Sequence, residues 1–600
     1  MGKRLAILFL LLLSYLSQMT CQEVRVVFSA PGGFYDESFL LTLSSTQSGS
    51  IRFTTNGDTP TAFSTLYMEP LLLDVSLYSN ADVYRIKNTV GNLFFVPESV
   101  PHCITLRAAV FDEAGECLGP VTTQSYFIRA LGCDTHGLPV LSIAADSVDL
   151  FGYERGIFVP GVNFDPADSL ATGNYYMKGR EWERIINMEF YELDNSGINQ
   201  RCGLRTHGAK SRRYQQKGMR IYAREEYGKK RFKHAFFESS SLASFKHLNL
   251  RPFRCSHWWQ TGGQEYLSQR VAANMDVDGL NVRQTVVFIN GEYWGIYTLE
   301  ESPDERYLED HYDVDLDEVN IIKYWGVTDY GDGTDWSRFR SWMETADLSR
   351  PEDSAYAFLR MDVPSFMDYY LLEVYGANLD WPQNNVLQWQ AANGEPYRMM
   401  FYDGDGCFTH WSFQAMNHAA NVDASSLIIN KFMDSPSYRA MLYERYLELK
   451  STVFGYRALQ TIWDEYRNLV EGEVQAQSCR FGFPENKQRW EADMDSVTVF
   501  FAKRAVTFHQ EMEKLLAYDS SVFSAMDAYP NPSHGTFIVS VASENTTLVP
   551  AQFYDATGRL VQVEDVFLKS GHNRVEIDVH LRAGLYLVKI GDVIKRIVIQ

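Results

Sequence analysis

The pattern of apolar and polar residues changes twice along this 600-residue chain. In residues 24–129 apolar and polar positions alternate in short runs, and turns such as Asn56-Gly57-Asp58 separate the runs. A period of two that is broken by Gly, Asn and Asp is typical of strands joined by tight turns. The pattern predicts an all-β sandwich over residues 22–130.

The central region, residues 138–516, contains two kinds of pattern in succession. Strand-like apolar runs such as residues 282–289 come first, and apolar residues at helical spacing follow, as in residues 437–447 and 458–474. A sheet-rich half followed by a helix-rich half predicts an α+β body of two lobes with a cleft between them.

Alternation with a period of two returns in residues 525–600, for example in residues 535–541 and 584–590, and predicts a second small sandwich. The predicted fold class is therefore multidomain. An α+β body of two lobes is flanked by two all-β, immunoglobulin-like sandwiches.

The N-terminus has the pattern of an export signal. Lys3 and Arg4 precede an apolar run of about a dozen residues, which is too short to span a bilayer. We interpret residues 1–21 as a secretory signal peptide, with a lipoprotein signal ending at Cys21 as the alternative. No later segment is apolar for long enough to cross a membrane, so no transmembrane segment is expected in the mature chain.

Composition narrows the class of partner. The chain is 45% hydrophobic and 14% aromatic, as in globular proteins, and its formal net charge is −21. This charge disfavours a nucleic-acid partner but not ATP, because a metal ion and a few local cations can override a diffuse acidic surface. None of the eight cysteines forms a Cys-x-x-Cys pair; Cys103 and Cys117 are either bridged or unpaired buried thiols.

The strongest chemical signal is a set of acids and an amide in two loops. Asp380 is followed five residues later by Asn385, and an apolar strand then leads to Asp403 and Asp405. Kinase-type phosphotransferases place metal-binding oxygens around a nucleotide in this way, because Mg²⁺ prefers oxygen ligands. The alternative for the first loop is an Asx-type turn before Pro382.

A second signal is a pair of glycines in a basic segment. Gly203 and Gly208 would let backbone amides approach an anion, and Arg205, Lys210 and Arg212 supply charge around the same turn. The alternative is an ordinary hairpin with a solvated basic face.

Lys217 is the third candidate. It begins a predicted strand and shares a face with the apolar residues Met219 and Ile221, so it is expected to point inwards. A buried lysine needs an anionic partner, and the candidate is Glu265, in a predicted helix over residues 264–275. The alternative is a surface salt bridge.

Residues 138–516 resemble the CotH family, which comprises spore-coat proteins and relatives with an atypical protein-kinase fold. The resemblance rests on residues 138–143, 155–158, 203–212, 216–222, 290–301, 380–385 and 402–408. It implies a protein kinase that uses ATP with Mg²⁺ or Mn²⁺. The departures from the family pattern are Gly406-Cys407 after the second acid and Gly218 after Lys217.

The resemblance also implies roles for single residues. Asp380 would accept or orient the proton of the acceptor hydroxyl, and Lys217 would contact phosphate oxygens and Glu265. Asn385, Asp403 and Asp405 would bind metal. The remaining nucleotide-binding residues would be Gly203, Gly208, Ser211 and Arg212 in the phosphate loop and Glu301 where the lobes join.

Two further resemblances concern the flanking sandwiches. Residues 51–60 and 106–109 are similar to the module at the C-termini of chitobiases and hexosaminidases, which carries no catalytic groups. Residues 529–532, 555–559, 584–586 and 595–599 resemble the C-terminal sorting domain of type IX secretion cargo. That domain implies a bacterium of the Bacteroidetes group, the type IX secretion machinery as a partner, and delivery to the cell surface or the exterior.

The predicted function is that of an exported CotH-like protein kinase, which phosphorylates Ser or Thr residues of an envelope or secreted protein. One alternative is a nucleotidyl (AMP) transferase that uses the same site. Another is a catalytically inactive kinase-like scaffold or adhesin. The joint presence of Lys217, Asp380, Asn385 and Asp403 favours an enzyme.

Overall fold

The computed structural model describes residues 23–78, 82–86, 89–90, 94–133, 137–254, 259–517, 527–529, 531, 533, 535–543, 547–569, 571–590 and 593–600. The predicted signal peptide, residues 1–21, lies outside them. The chain divides into two compact units. The first unit is Met1–Lys431 with Arg445–Ala505, and the second is Phe432–Glu444 with Val506–Gln600.

The first unit begins with the predicted β-sandwich. Its strands are β1 (Val26–Phe28), β2 (Gly33–Tyr35), β3 (Leu40–Leu41), β4 (Leu43–Ser45), β5 (Ser50–Thr54), β6 (Thr65–Leu66), β7 (Leu71–Leu72), β8 (Ile104–Phe111) and β9 (Thr122–Ile128). They form a five-stranded sheet in the order β2-β9-β8-β5-β6 and the pairs β1-β4 and β3-β7. The cysteines of this region, Cys103 and Cys117, are free thiols, the first buried and the second exposed.

A closed seven-stranded barrel follows the sandwich. Its strands are β10 (Val140–Ala144), β11 (Arg184–Tyr191), β12 (Gly197–His207), β13 (Gly218–Tyr222), β14 (His247–Pro252), β15 (Val282–Ile289) and β16 (Glu292–Glu300). They are joined in the order β10-β11-β12-β13-β14-β16-β15, and the parallel pairing of β10 with β15 closes the ring. The interior is filled by apolar side chains, among them Met188, Leu204, Ile221, Leu250 and Leu299.

The second half of the body is mainly helical. Two helices lie between strands of the barrel: α1 (Ser147–Phe151) and α2 (Gln264–Ala272). The helices that follow the barrel are α3 (Glu305–Tyr312), α4 (Thr334–Thr345), α5 (Pro351–Arg360), α6 (Val363–Tyr375), α7 (Ala415–Ala420), α8 (Leu427–Asp434), α9 (Pro436–Ser451), α10 (Tyr456–Val470), α11 (Val474–Phe481) and α12 (Lys487–Ala517). A small antiparallel sheet, β18-β17-β19-β20, lies among them. Its strands are β17 (Asn320–Lys323), β18 (Val327–Tyr330), β19 (Leu387–Gln390) and β20 (Arg398–Met400). Of the helices in the described part of the chain, none is both long and apolar enough to span a membrane.

The second unit contains a β-rich C-terminal region, as predicted. Its strands are β21 (Asp527–Tyr529), β22 (Thr536–Ser543), β23 (Thr547–Asp555), β24 (Leu560–Leu568), β25 (Gly571–Asp578), β26 (Gly584–Ile590) and β27 (Val593–Ile599). They form two sheets, β21-β22-β25 and β24-β23-β26-β27. Alternate residues of both sheets, including Phe537, Val539, Phe553 and Val588, share one apolar core.

The N-terminal sandwich is built into the barrel of the first unit. Val83, in the segment between β7 and β8, belongs to the apolar core of the barrel. The buried carboxylate of Glu292 accepts hydrogen bonds from the backbone amides of Val83 at 2.6 Å and Tyr84 at 2.9 Å. At a second contact, Ser125 of β9 in the sandwich donates a hydrogen bond of 2.6 Å to the buried Glu189 of β11 in the barrel. These contacts make the sandwich a structural part of the barrel rather than a spacer.

Deleting residues 23–130 is therefore expected to destabilise the barrel. The deletion removes Val83 from an apolar core and leaves the buried carboxylate of Glu292 without its hydrogen-bond donors, at a cost of about 1–3 kcal/mol for that group. Glu189 loses Ser125 but keeps its hydrogen bonds from Tyr191 and Asn199. The thermal unfolding of the deleted chain, compared with that of the full chain, measures this effect. An unchanged melting temperature would show that the sandwich is an independent module.

The same contact predicts a pH dependence. Burial raises the pKa of Glu292 to about 7, against the opposing charge of Arg480. A carboxyl group whose pKa is higher in the folded protein stabilises most at low pH, and this contribution is lost as the pH rises through the folded value. We expect the melting temperature of the wild type to fall more steeply between about pH 5 and 8 than that of Glu292→Gln. Glu113→Gln, which changes an exposed glutamate, is the control and should keep the wild-type slope.

Candidate active site

A row of polar side chains crosses the outer face of the barrel. Arg205 of β12 is paired with Arg220 of β13, and Arg220 with Asn249 of β14. Asn249 is in turn paired with Glu300 of β16. The neighbouring residues along these strands, Leu204, Ile221, Leu250 and Leu299, are in the barrel core. Because successive side chains of a strand point to opposite faces, the row lies outside.

Arg251 lies next to this row and is the centre of an ionic cluster. Its guanidinium donates two hydrogen bonds of 2.7 Å to one oxygen of Asp403, and its Nε lies 3.3 Å from Glu300. Asp405 is 3.4 Å away and Glu265 is 3.9 Å away. Only 17% of the Arg251 side chain is exposed, so these charges interact with little screening by solvent. Four carboxylates from three separate parts of the chain thus surround one cation.

Asp380 and Asn385 lie in the loop after α6, and a residue of α6 fixes the start of that loop. The amide of Asn378 donates to the buried Glu373 of α6 at 2.8 Å, and its oxygen accepts from the backbone amide of Asp380 at 3.0 Å. This is the Asx-type turn considered as the alternative, and it leaves Asp380 exposed at the surface of the loop. Asn384 donates to Asp380 at 2.7 Å.

Asn385 joins the two acidic loops. Its amide nitrogen lies 3.5 Å from a carboxylate oxygen of Asp380 and 3.4 Å from the backbone carbonyl of Asp403. Both Asn385 and Asp403 have left-handed backbone conformations, with φ of 60° and 62°. Such conformations are costly for residues other than glycine and are found often at functional sites. The structure therefore brings together Asp380, Asn385, Asp403 and Asp405, as the spacing predicts.

The turn that carries Asp403 and Asp405 is fixed by helix α2. Glu265 accepts a hydrogen bond of 2.6 Å from the backbone amide of Gly404, and Ser268 donates to the carbonyl of Gly404 at 3.1 Å. A Cβ at Gly404 would lie 2.5 Å from the Cβ of Ser268, so only glycine fits there. Burial raises the pKa of Glu265 above its ordinary value, while the charge of Arg251 opposes the rise.

The cluster favours an additional cation. Burial, followed by the charge of Asp403, raises the pKa of Asp405 well above its ordinary value. Burial also raises the pKa of Glu300 to about 7, despite the opposing charge of Arg251. Carboxylates that are crowded in this way are relieved by a further positive charge.

The residues predicted as metal ligands can supply oxygens to a hard cation. Arg251 occupies one oxygen of Asp403 and approaches one oxygen of Asp405. The second oxygens of both carboxylates and the side-chain oxygen of Asn385 have no hydrogen bond or ion pair with the described residues, so they are available to Mg²⁺ or Mn²⁺. Among the described residues, no group of three or more His, Cys, Asp or Glu side chains forms a metal site, so the amide would have to contribute.

Lys217 does not join this cluster. It is buried on the face of Met219 and Ile221, as predicted, but that face is turned towards the inside of the barrel. Its ammonium donates to the carbonyls of Thr89 at 2.8 Å, Arg212 at 3.0 Å and Tyr214 at 2.9 Å. The predicted pairing with Glu265 is not formed. Three carbonyl oxygens replace the expected anion, and Arg251, on the outer face, takes the place beside Glu265.

The predicted phosphate loop also has a different local structure. Gly203 lies inside β12, between Ile185 and Tyr222, where the missing Cβ makes room for the buried Glu183. Gly208 follows the end of β12 with φ of 104°. Ser211 and Arg212 lie in the turn after it, and the Arg212 guanidinium donates to the carbonyl of Tyr176 at 3.1 Å. The structure therefore does not bring these four residues together around one anion.

Glu301 follows β16 at the start of the connection to α3. One of its carboxylate oxygens accepts from the backbone and side-chain amides of Asn281, both at 2.9 Å, and the other lies 2.8 Å from His311. Its side chain fixes this connection and is already occupied. The backbone carbonyl of Glu301, however, accepts from Asn249 of the polar row at 3.2 Å.

The site also contains four residues that were not predicted from the sequence: Arg220, Asn249, Arg251 and Glu300. A signal was present, because Met219-Arg220-Ile221 and Leu248-Asn249-Leu250-Arg251 alternate between apolar and polar residues. Such alternation predicts one buried face and one exposed face. It does not show that the exposed faces of distant strands are adjacent.

Three protein-family models match parts of this chain. The family model described as "CotH kinase protein" matches residues 204–508. "Secretion system C-terminal sorting domain" matches residues 527–600, and "Chitobiase/beta-hexosaminidase C-terminal domain" matches residues 30–122. The three predicted resemblances are thereby confirmed. The sorting domain indicates type IX secretion to the cell surface or beyond it.

Similarity to individual proteins is low. No curated protein matches the chain. Among solved structures, the proinflammatory kinase CtkA of Helicobacter pylori is 10% identical, with 45% of this chain and 91% of CtkA covered and a TM-score of 0.22. That score is too low to support an argument. The match to the CotH model extends over half of the chain, and the protein therefore belongs to the CotH kinase protein family.

Proposed function

We propose that this protein is an exported, metal-dependent phosphotransferase of two lobes, which transfers the γ-phosphoryl group of ATP to Ser or Thr residues of an envelope or secreted protein. One observation carries the proposal. Asn385 contacts both Asp380 and the backbone of Asp403, so the two acidic loops meet beside Arg251 and Glu265. This arrangement supports phosphoryl transfer because it combines an exposed carboxylate with a cluster of oxygens.

Asp380 is the residue for the acceptor hydroxyl. It is exposed, so a substrate protein can reach it, and its backbone amide is held by Asn378. Both of its carboxylate oxygens face side-chain amides, Asn384 at 2.7 Å and Asn385 at 3.5 Å. These contacts orient the carboxylate, which can then accept the hydroxyl proton as the oxygen attacks phosphorus.

Asp403, Asp405 and Asn385 would hold Mg²⁺ or Mn²⁺ through the oxygens that Arg251 leaves available. Such an ion neutralises charge on the phosphates during transfer. Glu265 positions the turn through the amide of Gly404 and does not need to contact the ion.

The polar row on the barrel supplies positive charge for the triphosphate. Arg205, Arg220 and Arg251 lie on neighbouring strands of this face. Burial, together with the charges of Arg220 and Arg212, holds the pKa of His207 well below its usual value. Burial is the largest cause of this shift in pKa and the guanidiniums add to it, so this part of the face carries local positive charge that can attract a phosphate in spite of the net charge of −21.

The pairing of Arg251 with Asp403 supports a second candidate, an inactive kinase-like scaffold. One oxygen of the carboxylate that would bind metal is already held by two hydrogen bonds of 2.7 Å. In a scaffold this ion pair would be permanent. In an enzyme, ATP and the metal ion would share or displace it.

Ligand-induced stabilisation separates the two candidates. For the active enzyme, ATP with Mg²⁺ or Mn²⁺ at about a hundred times its Kd stabilises the full chain by about 2.7 kcal/mol, which raises the melting temperature by several degrees. The shift should disappear in EDTA and in Asp403→Ala. Asp464→Asn, an exposed aspartate of α10, should retain the full shift. A wild type without metal-dependent stabilisation would support the scaffold.

A further inference from the structure

A cavity of about 420 Å³ lies on the first unit, and none of its lining residues belongs to the acidic cluster around Arg251. Val90 and Phe95, from the segment between β7 and β8, form one wall. The residues just before β13, including Arg213 and Tyr214, form another, and Phe483 closes a third side. Its volume is in the range of sites that enclose small molecules.

Two guanidiniums give the cavity positive charge. The guanidinium of Arg254 lies 4.8 Å from the ring centre of Tyr214 and 4.9 Å from that of Phe483, and that of Arg213 lies 5.9 Å from Tyr214. Neither arginine has a hydrogen bond or an ion pair with any residue in the described ranges. Contact with an aromatic ring holds each planar guanidinium, and its N–H groups can donate to an anion.

The apolar wall is held in place by specific contacts. Gln215 donates to the carbonyl of Phe95 at 2.9 Å and accepts from its amide at 3.3 Å. Gly482 has φ of 60°, and a Cβ there would lie 2.8 Å from the Phe95 ring. The ring of Tyr175, which also lines the cavity, lies 4.4 Å from the buried ammonium of Lys217, and its hydroxyl has no hydrogen-bond partner among the described residues. These contacts fix the position of the apolar wall.

We propose that this cavity is a second ligand site, which takes a small organic anion consisting of a planar ring joined to a carboxylate, sulfonate or phosphate group. Arg213 and Arg254 bind the anionic group through their N–H edges. Phe95 and Phe483 cover the ring. The site is independent of the proposed phosphotransfer, because it shares no residue with the acidic cluster.

Two fluorescent probes of nearly equal shape test the proposal on the full chain. 8-Anilinonaphthalene-1-sulfonate carries a planar ring system and one sulfonate, and N-phenyl-1-naphthylamine has the same rings without the charge. The wild type should bind the sulfonate saturably and at least about tenfold more tightly than the neutral probe, as expected for charge-assisted hydrogen bonds. The double variant Arg213→Gln/Arg254→Gln should lose this preference and still bind the neutral probe.

A second variant covers the case in which the double variant folds poorly. Leu170 lines the cavity with 59% of its surface exposed, so Leu170→Trp should block the cavity and abolish binding of both probes without lowering stability. Leu193→Trp changes a leucine of similar exposure, 56%, that does not line the cavity, and should bind like the wild type. Asp403→Ala should also bind both probes normally. The proposal is wrong if the sulfonate binds equally well to the wild type and to Leu170→Trp, or if the wild type shows no preference for it.

Discussion

Replacing Asp380 by Asn is expected to lower phosphoryl transfer by a factor of about 10²–10⁴, the usual contribution of a positioned general base. Asn has the shape of Asp, and its oxygen can still accept the short hydrogen bond from Asn384. The loop should therefore keep its structure, and the variant loses the ability to accept the hydroxyl proton together with the long 3.5 Å contact to Asn385. The measurement is transfer of label from γ-labelled ATP to an envelope extract by the purified full chain.

Asp464→Asn is the matched control for this experiment. Asp464 is exposed and accepts a hydrogen bond of 2.8 Å from Gln460, four residues away along the chain, just as Asp380 accepts one from Asn384. This variant should transfer label at the wild-type rate. Thermal stabilisation by ATP and metal should persist in Asp380→Asn, since Asp380 is not a proposed ligand of either. Undiminished transfer by Asp380→Asn would remove this residue from its proposed role.

Replacing Arg251 by Met is expected to have the largest effect on stability. Met fills much of the same volume but leaves Asp403, Asp405, Glu265 and Glu300 without their shared cation. Removing one partner of a buried ion pair costs about 3–5 kcal/mol, because the remaining charges lack compensation. The free energy of unfolding, measured with urea at neutral pH, should fall by an amount of this order, and stabilisation by ATP should be lost as well.

Arg129→Met controls for the loss of an arginine as such. Arg129 also has a close acidic partner, Asp36 at 2.7 Å, but the side chains of both residues are more than half exposed, 63% and 83%. An exposed pair contributes only about 0–1 kcal/mol, so this variant should unfold almost like the wild type. If Arg251→Met were no less stable than Arg129→Met, the ionic cluster would not be a stabilising element of the folded protein.

The two sandwiches could be predicted from the sequence because their physics is local. Alternation with a period of two, interrupted by turn residues, states which side chains of each strand are buried. In β22 of the second sandwich, for example, every second residue is buried: Phe537, Val539 and Val541. The acidic loops were predictable for a similar reason. The spacing from Asp380 to Asn385 fits within one loop, and β19 and β20 return the chain directly to Asp403.

The closure of the barrel could not be predicted in this way. It depends on the parallel pairing of β10 with β15, which are more than a hundred residues apart in the chain. The attachment of the N-terminal sandwich to the barrel could not be predicted from the sequence either. Val83 lies in a short polar segment, and nothing local shows that its side chain belongs to the core of a different domain.

Lys217 and Arg251 illustrate the difference between local and long-range information. The local pattern of residues was enough to predict that Lys217 shares a buried face with Met219 and Ile221, and to identify the acids at 380, 403 and 405. It could not determine which face of the strands meets those acids. The closed barrel turns the face of Lys217 towards its interior and the face of Arg251 towards the acids. Alternation along a strand defines two faces, and only long-range pairing assigns each face its surroundings.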